Sequence, residues 1–204
     1  MRGFITLALV LVTASSCATR QEIVGREVQG VDRKLSTFAY IEEGNLVTFV
    51  VDTRSTRNRE ADAYIPLEIA VANRSLKQLT ITRESFTLVD EQGNRYPCAG
   101  PKELQENYEY LDMDRGLAEL QDILFNRFAV YTPHPSKFSP TRTVSPDPFV
   151  SNLVRDQVVL PKFEYLIDFV YFPKPKTGLL NHRFDLFLKT PELEEPVFVK
   201  FAVL

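Results

Sequence analysis

The chain has no tryptophan, two cysteines, two histidines and two methionines in 204 residues. Each scarcity removes a class of chemistry. His134 and His182 stand far apart, one in a proline-rich stretch and the other beside a turn, so a zinc site of two histidines one helical turn apart has nothing to build it. There is no Gly-x-Ser-x-Gly elbow, no phosphate-cradling glycine loop and no cysteine pair at metal spacing. Lys+Arg number 24 against 27 Asp+Glu, for a formal net charge of -3, so the dense basic stripe that nucleic acid requires is missing. The expectation is a non-enzymatic protein with no cofactor, no metal and no nucleic-acid partner.

What is present is ordinary globular composition, and the length suits one main domain with a sizeable core. Residues 1–16 have the three parts of an export leader: basic Arg2, an apolar run from Phe4 to Val12, and the small residues Thr13-Ala14-Ser15-Ser16. As a helix the apolar run would span only about 14 Å, against roughly 30 Å of bilayer hydrocarbon, so it directs export and does not anchor. Ala14-Ser15-Ser16-Cys17 resembles the lipobox of bacterial lipoproteins, in which the cysteine receives diacylglycerol and becomes the mature N-terminus. In that family a leucine usually stands where Ala14 does, and Gly or Ala where Ser16 does. The resemblance implies a membrane attachment through lipid on Cys17, and with Ala18 rather than aspartate next, the outer membrane over the inner. Ordinary secretory cleavage after Ala18 is the alternative. Two or three acyl chains hold a protein essentially permanently, since each buried CH₂ adds about 0.8 kcal/mol.

With Cys17 modified, Cys98 is a lone thiol without a disulfide partner or a nearby histidine, and reads as a small inert core residue. Residues 17–35 are polar, with Gly25 and Gly30, and read as a tether before a β-rich domain over 36–204. Thr37–Glu42 and Leu46–Asp52 flank Gly44-Asn45, which predicts a hairpin with a two-residue turn. Thr53–Glu60 reads as a solvated loop. Asp62–Asn73 alternates as a half-buried strand, with Pro66 marking a bulge or an edge. Leu79–Thr82, Phe86–Asp90, Arg95–Pro97, Gln157–Leu160, Phe163–Phe172, Arg183–Lys189 and Pro196–Val203 read as further strands. In Phe163–Phe172 the face of Phe163, Tyr165, Ile167, Phe169 and Tyr171 is the apolar one expected in the core.

Between these strands the period changes. Pro101 follows Gly100 as a first helical residue, and Leu117, Leu120, Leu124 and Phe128 share a helical face with Asp114 placed to cap. Tyr131–Pro148 is rich in proline, so residues 101–149 read as a helical and irregular insert. Asp112-Met113-Asp114 is a poor calcium loop because Arg115 breaks its charge logic. The acids Glu103, Glu106, Glu109 and Asp112, with Tyr108, Tyr110 and Tyr131, make the insert the candidate contact surface for an envelope protein partner. Packing of those tyrosines onto the strands is the alternative.

The strand count predicts an immunoglobulin-like antiparallel β-sandwich. Leu67–Asn73, then Leu79–Thr82, then Phe86–Tyr96 with its Asp90-Glu91-Gln92-Gly93-Asn94 turn, and later Val159-Leu160-Pro161, resemble the telokin-like, immunoglobulin-like domains of bacterial lipoproteins of unknown function. That family's glycine after the proline is Lys162 here, and the insert departs from its pattern. The resemblance implies a fold and an envelope location, with protein interaction as the first functional expectation. A carrier or sensor for a small hydrophobic ligand, held between sandwich and insert, is the second.

Overall fold

The computed structural model describes residues 34–140 and 154–204. The leader, Cys17 and all but the end of the tether lie outside them, as do residues 141–153 of the proline-rich stretch. Ala39–Glu43 (β1) and Val47–Asp52 (β2) form the expected hairpin, paired from Ala39↔Asp52 to Glu43↔Thr48. Its two-residue turn is shifted by one position from the expected Gly44-Asn45: the Gly44 N–H donates to the Val47 carbonyl at 3.0 Å, with Asn45 and Leu46 between them. Tyr64–Asn73 (β3) pairs with β2, and after it come Gln78–Thr82 (β4), Phe86–Asp90 (β5) and Arg95–Pro97 (β6). The β5–β6 turn is organised by Asp90. Its carboxylate accepts the Gln92 N–H (3.0 Å), the Asn94 N–H (2.9 Å) and the Tyr96 hydroxyl (2.9 Å), while Gly93 takes the positive φ of 81° that a side chain would resist.

Three short helices follow, Pro101–Asn107 (α1), Leu111–Gly116 (α2) and Leu120–Leu124 (α3), and then Thr132–Pro133 (β7), Gln157–Pro161 (β8), Glu164–Pro173 (β9), Arg183–Leu188 (β10) and Val197–Ala202 (β11). The described residues form a five-stranded sheet in the order β1-β2-β3-β9-β7, a four-stranded sheet β11-β10-β5-β6 and a pair β4-β8. All pairings are antiparallel except β7 with β9. The protein is mainly β. No helix among the described residues is long and apolar enough to cross a membrane.

Alternation along the strands selects the core. Phe49 and Val51 of β2, Leu67 and Ile69 of β3 and Val170 and Phe172 of β9 join Phe86 and Leu88 of β5, Leu186 of β10 and Phe201 of β11 in one buried cluster, to which β4 and β8 add Ile81 and Leu160. Each of these side chains contributes about 1.5–3 kcal/mol through burial.

Several sequence expectations are corrected. In β9 the main core takes Leu166, Val170 and Phe172, whereas Tyr165, Ile167, Phe169 and Tyr171 lie on the opposite face under the helices, and Phe163 stands before the strand, half exposed with φ 65°. β3 is buried on both faces, not one, for the same reason. Pro66 fits the edge reading: β2 pairing stops at Asp52↔Glu68, and beyond it the Pro66 carbonyl accepts the Thr56 hydroxyl. Residues 53–60 are not a solvated loop. Thr53, Ser55, Thr56 and Arg59 are buried. The single helix over Leu117–Phe128 is broken, because Leu117 ends α2 and a new helix starts at Leu120, yet Leu120, Leu124 and Phe128 still share one buried face.

Candidate functional site

The feature that sequence periodicity could not supply is the seam between the outer face of the five-stranded sheet and the helical segment. Around β1, β2 and β3 that face carries small side chains, Ala39, Ala70 and Ala72, with Ile41 and Val50, and these receive Leu120, Leu124 and Phe128. Towards β9 the residues are larger: Phe169 and Tyr171 meet Leu104, Tyr108 and Leu111.

Charge is buried in this seam. Arg59, 5% exposed, donates from Nε (3.0 Å) and Nη2 (2.6 Å) to Oδ1 of Asp114, which is fully buried. The Tyr108 hydroxyl donates to Asp114 Oδ2 at 2.6 Å and accepts from Arg59 Nε at 2.9 Å, and the Arg59 guanidinium lies 4.3 Å from the centre of the Tyr110 ring. Burial pushes the Asp114 pKa up, opposed by the bonds from Tyr108 and Arg59. Asp114 is thus a member of α2 bound to a distant loop, not the helix cap that its sequence position suggested.

The cap of α3 comes from the sheet instead. Glu68, in the middle of β3, accepts the N–H groups of Glu119 (2.9 Å) and Leu120 (3.2 Å). These are amides that a helix start leaves without internal partners. Burial raises the Glu68 pKa to about 8; the Leu120 N–H pulls it back, the neighbouring Asp52 charge adds to it, and Lys137 and Arg54 oppose it.

Glu68 forms part of the lining of a cleft of about 310 Å³ together with Arg115, Asp122, Lys137, Asp168 and Phe169. Asp168 is buried and accepts the N–H groups of Phe138 and Ser139, while Arg115 Nη2 donates to the Ser139 carbonyl at 2.8 Å. Lys137 donates to the Ile167 carbonyl. The polar lining does not suit the hydrophobic ligand expected between strands and insert. No group of three or more His, Cys, Asp or Glu placed to hold a metal occurs among the described residues. Cys98 is partly buried, and burial pushes its thiol up to about 12, which leaves it protonated and unreactive at neutral pH.

The three tyrosines predicted as contacts are not free rings. Tyr108 is 3% exposed and sits inside the Arg59–Asp114 network, so its expected exposure is corrected by its burial. Tyr110 is half buried beside Tyr108 and Arg59, and Tyr131 packs against Phe128 at a centroid distance of 5.4 Å. Among the described residues of this segment, the large apolar side chains that face solvent are Met113, Phe125 and Val130, at 58%, 74% and 78% exposure.

No family model and no curated protein matches the chain. Among solved structures it aligns with a candidate lipoprotein, YcdA, of Bacillus subtilis subsp. subtilis str. 168, at 9% identity and a TM-score of 0.40. The alignment covers 79% of this chain and 38% of that one, so this chain spans well under half of the neighbour's length. A likeness at that level carries no argument for function, which leaves the site's own residues to supply it.

Residues missed by sequence reasoning, Glu68, Asp52 and Arg59, had one available signal. Glu68 interrupts an otherwise apolar run, Ile65-Pro66-Leu67-Glu68-Ile69-Ala70-Val71, where a carboxylate needs a partner.

Proposed function

We propose that this chain is a lipid-anchored protein of the cell envelope, built on an immunoglobulin-like β-sandwich, that binds another protein through its helical segment and has no catalytic role. The observation that carries the binding reading is the placement of apolar surface. Phe125 and Val130 are the most exposed large hydrophobic side chains among the described residues, and both lie on that segment with Met113. Exposed aromatic and aliphatic anchors of this kind mark interaction surfaces, and a phenylalanine that becomes fully buried on binding contributes about 1.5–3 kcal/mol. Tyr108, Tyr110 and Tyr131 act as internal braces that hold the surface in place. Two facing sheets with one shared core support the sandwich reading, and the Asp90 turn agrees with the resemblance. Attachment through Cys17, with the outer membrane favoured, rests on the leader and the residues around it.

The test is a photo-crosslinking residue placed at 125 in living cells. A single reproducible adduct, lost when Met113→Ser and Val130→Ser are added at unchanged thermal stability, is the expected result; no adduct, or one indifferent to those substitutions, defeats the reading. For the anchor, radiolabelled palmitate should follow the wild-type chain and be lost in Cys17→Ser. The carrier reading survives in altered form, since the cleft's lining of Glu68, Arg115, Lys137 and Asp168 suits a polar ligand.

A further inference from the structure

Asp52 and Glu68 are direct cross-strand partners on β2 and β3. Their positions put both on the outer face, with Val50 and Ala70 and opposite to core-facing Val51 and Ile69. Each is 2% exposed. Directly opposed residues hold their Cβ atoms about 4.5–5.5 Å apart, close enough for two negative charges to oppose one another. Asp52 Oδ1 accepts the Arg54 N–H at 2.8 Å, while its buried Oδ2 has no hydrogen-bond partner.

The cations nearby make their bonds elsewhere, Arg54 with Glu119, Lys137 with the Ile167 carbonyl, and Arg115 with the carbonyls of Ser139 and Pro140. The Arg54 and Arg115 Nε atoms are buried without a partner among the described residues, and the charges of Arg54 and Lys137 act on the pair only through space. The remaining charged groups that line the cleft beside Glu68, Asp168 and Asp122, are acidic. The pair therefore has two buried carboxyls and, among the described residues, no cation bonded to either side chain. It also sits where the helical segment is attached, since Glu68 holds the first amides of α3, and the cleft gives its proton a route to water.

We propose that the Asp52–Glu68 pair is a proton-dependent latch: with a proton on the pair the helical segment stays docked on the sheet, and loss of that proton weakens the docking and alters how Phe125 and Val130 are presented. The second half of this rests on the reading of that segment as the partner surface. The physical cause is that two buried carboxylates can share a site cheaply only while one is neutral. Burial raises the pKa of Glu68 to about 8 and pushes Asp52 up as well. A carboxyl raised by folding binds more protons in the folded state. Its contribution is present in full below the ordinary carboxylate range and is lost as pH rises through about 8.

Amide hydrogen exchange at Glu119 and Leu120, corrected for the intrinsic pH dependence of exchange, reads the latch directly. Between pH 6 and pH 9.5 their protection should fall by about tenfold or more relative to the Leu186 amide in β10, since one unit of pKa shift corresponds to a factor of ten. In Glu68→Gln, which keeps an acceptor and removes the charge, the fall should vanish. Asp52→Asn should reduce it, and serves as the second variant should Glu68→Gln fold poorly. Protection that is independent of pH in the wild type, or a fall that persists in both variants, overturns the latch. The crosslink at position 125 separates the two ideas. An absent adduct with pH-dependent protection defeats the partner reading alone, while an equal adduct at both pH values with flat protection defeats the latch alone.

Discussion

The two sides of β3 are held by different physics. Its inner side, Ile65, Leu67, Ile69 and Val71, packs into an apolar core shared by both large sheets. Its outer side, with Glu68, Ala70 and Ala72, meets three helices of five to seven residues through a mixture of small apolar contacts and buried charge. Helices this short are not stable alone in water, so their order comes entirely from that seam. An apolar core fails only when packing fails. A seam closed by carboxylates and a guanidinium also depends on the protonation of its buried charges.

That contrast can be broken first from the core side. Phe86→Ala removes a fully buried ring that packs near Phe49 and Phe138, and should cost about 3–5 kcal/mol in urea or thermal unfolding, with every probe reporting the same transition. Arg59→Ala leaves Asp114 buried without its cation and should cost about 3 kcal/mol or more, whereas Arg59→Met with Asp114→Leu should recover most of the loss, as a double-mutant cycle would show. Leu124→Ala should cost about 2–3 kcal/mol, with exchange accelerated in residues 119–128 well before it rises in β10. Uniform acceleration across both regions would mean that the seam and the core unfold as one unit. The smallest effect belongs to the exposed pair Arg127–Glu43, where Glu43→Gln should change stability by less than about 1 kcal/mol.

The inner side was legible in the sequence because period-two alternation of β-branched and aromatic residues states which face is buried. Strands from Ala39 to Pro97 and from Gln157 to Ala202 fall where that pattern predicts them. The same pattern failed in β9, where both faces are apolar and alternation cannot say which faces the other sheet. The candidate site was barely legible. Arg59 lies in a polar stretch whose local sequence looks solvated, and its partner Asp114 is 55 residues away in sequence. Tyr108 and Tyr110 resemble surface aromatics among acids, yet one is buried by a bond that no local pattern encodes. The helical period of Leu120, Leu124 and Phe128 named the buried face correctly but not the break at Leu117, since the cap that restarts the helix is Glu68 from a different element.

Ala39, Ala70 and Ala72 give the sheet a shallow trough where larger residues would make sockets. Along a trough, shape opposes sliding only weakly, so the position of α3 is fixed by the carboxylate that grips its first turn. The residues above can then be exchanged for others of similar bulk while that grip is kept, without disturbing the strands beneath.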